Sequence, residues 1–166
     1  PRRPSGDGWA ECAVRKDAGD DYDVTNGILV YARAEFPDAE TGAADHAVGS
    51  FLPQIVIDGG IGIGRVTKPG LDQPVGAAAI NSVPRKMIRD AVDALLEEAG
   101  EVRSVLVTIK IPAGVEAAKK TFNPVLGIEG GISVLGTSGI VEPMSEEALV
   151  ETIRTHLNVL KAEGRR

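Results

Sequence analysis

The stretch GGIGIGRVTKPG, residues 59–70, combines five glycines with the cations Arg65 and Lys68. Glycine is required where the backbone adopts conformations that other residues avoid, or where another group comes too close for a Cβ. Exposed backbone N–H groups beside cations bind carboxylates and phosphates. The stretch therefore indicates either an anion-binding site or a tight, glycine-lined turn whose cations lie in solvent.

Neither familiar nucleotide-binding motif is present in this stretch. A P-loop requires Gly-Lys-Ser/Thr, whereas Lys68 follows Thr67 and precedes Pro69. The dinucleotide motif G-x-G-x-x-G also fails, because its third glycine would fall on Arg65 or Thr67. The local charge nevertheless favours an anion. From residue 58 to residue 86 four cations face two acids, in a chain whose net charge is −6: Arg65, Lys68, Arg85 and Lys86 against Asp58 and Asp72.

Arg85 and Lys86 lie in the first turn of a helix that periodicity predicts over Pro84–Ala99. The unpaired N–H groups make this end positive, and each exposed cation there costs about 0.3–1 kcal/mol. We hypothesise that the N–H groups and both cations converge on a bound carboxylate. The alternative is that both side chains point into solvent and tolerate the small cost.

A second glycine-rich stretch, GIEGGISVLGTSGIVEP, covers residues 127–143. Its GTSG segment offers backbone donors and two hydroxyl groups, and Glu129 and Glu142 are suited to accept hydrogen bonds from ribose hydroxyls. The alternative is a pair of turns around one short strand.

Other residues that could perform chemistry give weaker signals. An acidic run resembles the oxygen ligands of a hard cation but lacks EF-hand spacing, so a solvated turn is the preferred interpretation: Asp17, Asp20, Asp21 and Asp23. His46 and His156 lie far apart and suggest no third ligand, so we predict no metal site. No G-x-S-x-G motif supports a nucleophilic serine.

Composition excludes several classes of protein. The net charge of −6 argues against broad binding to nucleic acid and to anionic membranes. No run of 18 apolar residues predicts a transmembrane helix. The single cysteine, Cys12, fits a reducing cytoplasm. It falls in an alternating segment, so we expect a strand in which Cys12 is a small buried residue.

The elements that must position these residues alternate along the chain. Strands are predicted over residues 9–16, 28–36, 51–57, 102–112 and 130–136. Besides Pro84–Ala99, helices are predicted over 114–120 and after Ser145, with Leu149, Ile153, Leu157 and Leu160 as the apolar stripe of the last helix. Strands come first, and helix and strand then alternate, which predicts an α+β fold leading into an α/β unit.

Three long segments resemble the CbiD family, the cobalt-precorrin-5B C1-methyltransferases of anaerobic cobalamin (vitamin B12) biosynthesis. In chain order they are VRKDAGDDYDVTNG, GGIGIGRVTKPGLDQPVGAAAINSVPRKMI and VTIKIPAGVEAAKKTFNPVLGIEGGISVLGTSGIVEPMS. The resemblance implies an α+β domain similar to ribosomal S5 domain 2 over residues 1–143, incomplete at its N-terminus. Residues 144–166 would form a helix leading towards a small C-terminal α/β domain that is absent. The chain then resembles a central fragment, which we expect to be inactive alone.

The resemblance also implies the chemistry. The family is regarded as transferring a methyl group from S-adenosylmethionine to C1 of a cobalt-containing tetrapyrrole. Arg65, Lys68, Arg85 and Lys86 are then candidate contacts for the carboxylates of the tetrapyrrole. Candidate contacts for the donor are Gly136, Thr137, Ser138, Gly139 and Glu142. No catalytic residue is carried over, and homo-oligomer formation stays open. The alternatives are a phosphometabolite-binding or kinase-like module and a structural fragment without activity.

Overall fold

The computed structural model describes residues 8–19, 23–37, 53–136 and 146–164. Helices and strands are mixed along the chain. The strands are β1 (Trp9–Arg15), β2 (Leu29–Glu35), β3 (Ile55–Gly59), β4 (Gly62–Ile63), β5 (Arg65–Val66), β6 (Val105–Lys110), β7 (Ile128–Glu129) and β8 (Gly131–Ile132). The helices are α1 (Ser82–Ala99), α2 (Gly114–Ala118), α3 (Asn123–Leu126) and α4 (Glu146–Ala162).

A four-stranded sheet in the order β1-β2-β6-β3 forms the centre of the structure. The pairs β1–β2 and β2–β6 are antiparallel, whereas β3 lies parallel to β6. Because side chains alternate between the two faces of a strand, Ile57, Val107 and Ile109 point to one face, where they are buried. That face forms the main core, against which α1 packs.

Helix α1 confirms the prediction from periodicity, with its start two residues earlier than expected. It ends before Gly100, whose left-handed φ of 66° is the usual end of a helix. Ile88, Val92 and Leu96 pack against the core. Leu95, although apolar, is exposed. The buried face is therefore a narrow i, i+4, i+8 stripe.

Strand β1 forms as predicted, but the buried face is the opposite of the one expected. Cys12 is exposed rather than buried. Its neighbour Glu11 is 5% exposed and forms an ion pair with Lys110 of β6. A cation 99 residues away therefore makes the burial of this carboxylate possible.

Four short strands extend the core beyond the sheet. β4 pairs with β8 in parallel and β5 pairs with β7 antiparallel. The main core continues from β3 and β6 into this region through Ile63, Ala78 and Ile132. Residues 62–66 of the first glycine-rich stretch are thus paired with residues 128–132 of the second.

Helix α4 contacts α3, and its Asn158 and Val159 lie against Gly70. Val159 is buried, whereas Ile153 and Leu157, which the sequence predicts in the apolar stripe, are exposed. Leu149 and Ser145 lie outside the side chains that the structure describes. Within the described ranges, none of the helices is both long enough and apolar enough to cross a membrane. The similarity to ribosomal S5 domain 2 and the domain division at residue 143 stay predictions.

Candidate functional site

Three glycines, Gly62, Gly114 and Gly131, leave room for the protein's own backbone. Gly62 has a φ of +81°, and a Cβ there would lie 1.7 Å from the carbonyl oxygen of Ile111. Gly114 and Gly131 approach the carbonyl of Gly62 so closely that a Cβ on either would lie 2.3 Å from its oxygen. Three distant segments thus meet backbone to backbone. Glycine at these three positions is explained by packing and requires no ligand.

Arg65, one of the predicted substrate contacts, is held by a carboxylate of the same chain. Its two terminal nitrogens donate to the two carboxylate oxygens of Asp58 at 2.7 and 2.9 Å, and one also donates to the carbonyl of Gly59 at 2.8 Å. Burial alone would raise the pKa of Asp58. Hydrogen bonds from Arg65 and from the Gly59 N–H, together with the charges of Arg65 and Arg85, lower the pKa by more than burial raises it. The net pKa of Asp58 lies below its ordinary value of 3.8.

Arg85, the second predicted contact, directs its guanidinium into the protein. It donates to the carbonyls of Ile80 at 2.7 Å, Ile57 at 2.7 Å and Ala78 at 3.2 Å. These carbonyls belong to β3 and to the segment before α1, so Arg85 ties the start of the helix to the sheet. Burial lowers the pKa of Arg85, and the nearby acids oppose that shift only in part.

An internal carboxylate, that of Asp72, lies at the start of α1. The Asp72 side chain accepts hydrogen bonds from the Ser82 N–H at 2.7 Å and from the Ser82 hydroxyl. Lys86 forms an i, i+4 ion pair with Asp90. In this structure Arg85 and Lys86 each have an internal partner, and their convergence on a bound carboxylate stays a prediction.

Lys68 contacts the C-terminal helical region. Its ammonium lies 3.0 Å from a carboxylate oxygen of Glu163. A Cβ on Gly127, whose φ is +82°, would lie 2.4 Å from the Lys68 Cγ. The four predicted cations therefore do not form one cluster: Arg65 and Arg85 lie near Asp58, whereas Lys68 and Lys86 pair elsewhere. Their role in substrate binding stays a prediction.

Most of the predicted donor contacts lie outside the described residues: Thr137, Ser138, Gly139 and Glu142. Gly136 is described; it has a φ of +49°, and a Cβ there would contact Pro84. The assignment of these residues to S-adenosylmethionine stays a prediction.

The acidic run after β1 contributes to a turn where it is described. Asp23 accepts hydrogen bonds from the Thr25 N–H and hydroxyl and pairs with Lys16, while Asp17 accepts from the Gly19 N–H. Asp20 and Asp21 lie outside the described residues. Across the described ranges, no group of three or more His, Cys, Asp or Glu side chains could hold a metal ion.

Sequence reasoning missed a cleft of about 250 Å³ between α2, α3 and the strands β7 and β8. Its walls are mostly apolar, formed by Val115, Ala118, Pro124 and Ile128, with Glu129 and Gly130 among the other lining residues. The adjacent Phe122 is 75% exposed. The glycine pair Gly130–Gly131 and the helix over 114–120 were visible in the sequence, but α3 and the approach of both helices to the glycine pair were not.

The comparisons with known proteins agree on one family. The family model CbiD matches residues 2–143. A curated protein of Thermoanaerobacter sp. (strain X514), named cobalt-precorrin-5B C(1)-methyltransferase, is 48% identical over 160 residues, which cover 96% of this chain and 39% of that protein. A protein of the same name from Ruminiclostridium cellulolyticum is 53% identical over 148 residues, covering 89% of this chain and 35% of that protein.

A solved structure of a cbiD protein also matches this chain. The crystal structure of the cobalamin biosynthesis protein cbiD from Archaeoglobus fulgidus matches with a TM-score of 0.55 and 30% identity, over 89% of this chain and 43% of that one. The chain spans about two fifths of the length of the curated relatives it matches.

Proposed function

The chain belongs to the CbiD family, and we propose that it forms part of a cobalt-precorrin-5B C1-methyltransferase of cobalamin biosynthesis, with S-adenosylmethionine as methyl donor. One observation carries the proposal. Relatives of this name are 46–53% identical to the chain over 89–96% of its length. We also propose the cytoplasm as the location, because S-adenosylmethionine-dependent biosynthesis and a single cysteine both fit that compartment.

Methyl transfer from a sulfonium to carbon is an in-line displacement. The C–S bond breaks as the C–C bond forms, and the electron pair leaves with sulfur as a neutral thioether. Much of the barrier is lowered by holding the two reactants in line, so the reaction needs no protein nucleophile. The protein must bind a flat macrocycle that carries carboxylate side chains. It must also hold the methyl donor on the other side of the reacting carbon.

Three of the four predicted cations remain suitable for the macrocycle carboxylates. The side chains of Arg65, Lys68 and Lys86 are 44%, 39% and 72% exposed. Exposed ion pairs are worth about 0–1 kcal/mol, so a substrate carboxylate can replace the internal partner at small cost. Arg85 is less suitable, because a carboxylate would have to displace three backbone carbonyls.

A chimera tests the proposal. The matching 160 residues of the Thermoanaerobacter protein are replaced by those of this chain, and the product of cobalt-precorrin-5B with S-adenosylmethionine is analysed by mass spectrometry. We expect one added methyl group, absent when the donor is omitted. A folded chimera that transfers no methyl group contradicts the proposal. Binding of magnesium–nucleotide instead of S-adenosylmethionine would favour the phosphometabolite alternative.

A further inference from the structure

Helix α4 carries an apolar stripe that faces away from the rest of the protein. Val150, Ile153 and Leu157 lie at i, i+3 and i+7, so they share one face of the helix. Each of these side chains is more than half exposed, whereas Val159, on a different face, is buried. Helix α1 is of similar length, but its apolar stripe packs against the core. The apolar stripe of α4 is thus largely uncovered in the part of the chain that the structure describes.

The uncovered surface continues from α4 onto α3. The two helices are in contact, and Lys68 links them. Its ammonium lies 3.0 Å from Glu163, directly after α4, and 3.4 Å from the carbonyl oxygen of Val125 in α3. The side chain of Val125 is exposed, and so is that of Phe122 at the start of α3. Single exposed apolar side chains are common, but a group of them on contacting elements marks an interaction surface.

The apolar cleft borders the same surface. Pro124, the neighbour of Val125 in α3, lines this space of about 250 Å³ together with Val115 and Ile128. Protein interfaces place their anchoring side chains in pockets of this kind. We call the exposed apolar group the α3–α4 surface, which consists of Phe122, Val125, Val150, Ile153 and Leu157.

We propose that the α3–α4 surface is covered by the rest of a full-length CbiD-family protein, as an interface within one chain. About three fifths of the curated Thermoanaerobacter protein, and more than half of the solved cbiD chain, lie outside the part that this chain covers. Interfaces between domains of one chain typically bury about 600–1,500 Å². The covalent link favours this occupant over a second copy, because a tethered segment is present at a high effective concentration.

Hydroxyl-radical footprinting of the chimera with the Thermoanaerobacter protein tests the interface, because the labelling of a side chain follows its exposure. Two pairs are matched in residue type and exposure: Leu157 and Leu95 are 59% and 65% exposed, and Val125 and Val75 are 58% and 59% exposed. In the chimera we expect Leu157 and Val125 to be labelled at least threefold less than Leu95 and Val75. A smaller difference in either pair overturns the proposal.

The 166-residue chain alone distinguishes the rest of the family protein from a second copy. Its α3–α4 surface should be uncovered, so the labelling of Leu157 and Leu95 should agree within twofold at every protein concentration. Protection of Leu157 that disappears on dilution would assign the surface to a second copy and overturn the proposal. Labelling does not depend on methyl transfer, so a folded but inactive chimera contradicts the proposed function without affecting the interface.

Co-expression keeps the test decisive if the chimera does not fold. This chain carries an affinity tag and is produced together with the remaining three fifths of the Thermoanaerobacter protein as a separate chain. We expect the two chains to purify together. Leu157→Lys should reduce the recovery of the second chain at least tenfold, while Leu95→Lys, on the exposed side of α1, leaves it unchanged. Failure of the wild-type chain to retain the second chain, or equal recovery with both variants, overturns the proposal.

Discussion

Asp72 caps helix α1 by accepting hydrogen bonds from both the backbone N–H and the hydroxyl of Ser82. The cap residue Asn81 makes no side-chain hydrogen bond at this end, and the first turn contains no acid of its own. A carboxylate ten residues earlier in the chain therefore takes the place that a cap or an external anion would occupy. The charge of Asp72 also attracts Arg85 in the first turn, whereas Lys86 is paired with Asp90.

Removal of this cap should destabilise the fold. Asp72→Asn keeps the shape but loses the charge that complements the helix end, so we expect the free energy of unfolding to fall by about 1 kcal/mol. Urea denaturation followed by circular dichroism measures the change. Asp90→Asn, which removes the partner of Lys86 on the exposed side of the same helix, serves as the control and should change stability by less than about 0.5 kcal/mol.

Arg85 should prove structural. Arg85→Met removes three hydrogen bonds and leaves the carbonyls of Ile57, Ala78 and Ile80 without this partner, which should cost about 2–4 kcal/mol. Lys86→Met, one residue away and 72% exposed, should cost almost nothing. Chemical denaturation of the two variants gives the comparison. Equal stability would restore Arg85 as a candidate for ligand binding.

Stability should depend on Asp58 at acidic pH. Its pKa lies below 3.8 in the folded state, so the unfolded chain binds more protons in acid and stability rises with pH. The contribution is present above the unfolded pKa and is lost as pH falls through the folded pKa. Urea midpoints from about pH 2 to 5 should therefore vary less in Asp58→Asn. Arg65→Gln should flatten the curve in the same way, and parallel curves for wild type and Asp58→Asn would rule out this role.

Gly62 should tolerate no side chain. Gly62→Ala places a Cβ 1.7 Å from the Ile111 carbonyl oxygen, so we expect loss of the folded state or a cost above about 4 kcal/mol. Gly76 has a similar φ of +90° but nothing within 4 Å of a Cβ. Gly76→Ala should therefore cost only the backbone strain, about 1–2 kcal/mol. Expression yield and melting temperature separate close packing from backbone strain.

Substrate binding should depend on the exposed cations. Lys68→Glu and Lys86→Glu together should weaken tetrapyrrole binding at least tenfold, or about 1.4 kcal/mol. Lys120→Glu, on an exposed residue after α2, is the charge-matched control for each single variant. Binding is measured from the absorption spectrum of the tetrapyrrole. Unchanged affinity in a folded double variant would show that these lysines are only surface residues.

The sequence by itself determined the longer regular elements and the family. Helix α1 and strands β1, β2 and β6 were predictable because local periodicity and the terminal Gly100 depend on neighbours in the chain. The CbiD segments were recognisable as linear strings, and the family model confirmed them. The positive charge of residues 58–86 was also evident, although composition does not reveal which charges are already paired.

Tertiary structure decided what these residues contact. Glu11 rather than Cys12 faces inward because Lys110 arrives from β6, and alternation alone does not say which face is buried. Gly62 and Gly131 are close because β4 pairs with β8, across almost 70 residues of chain. Arg65, Lys86 and Lys68 form ion pairs with Asp58, Asp90 and Glu163, respectively. Arg85 donates hydrogen bonds to backbone carbonyls. Such contacts depend on distances between segments that are remote in sequence, and local patterns contain no information about those distances.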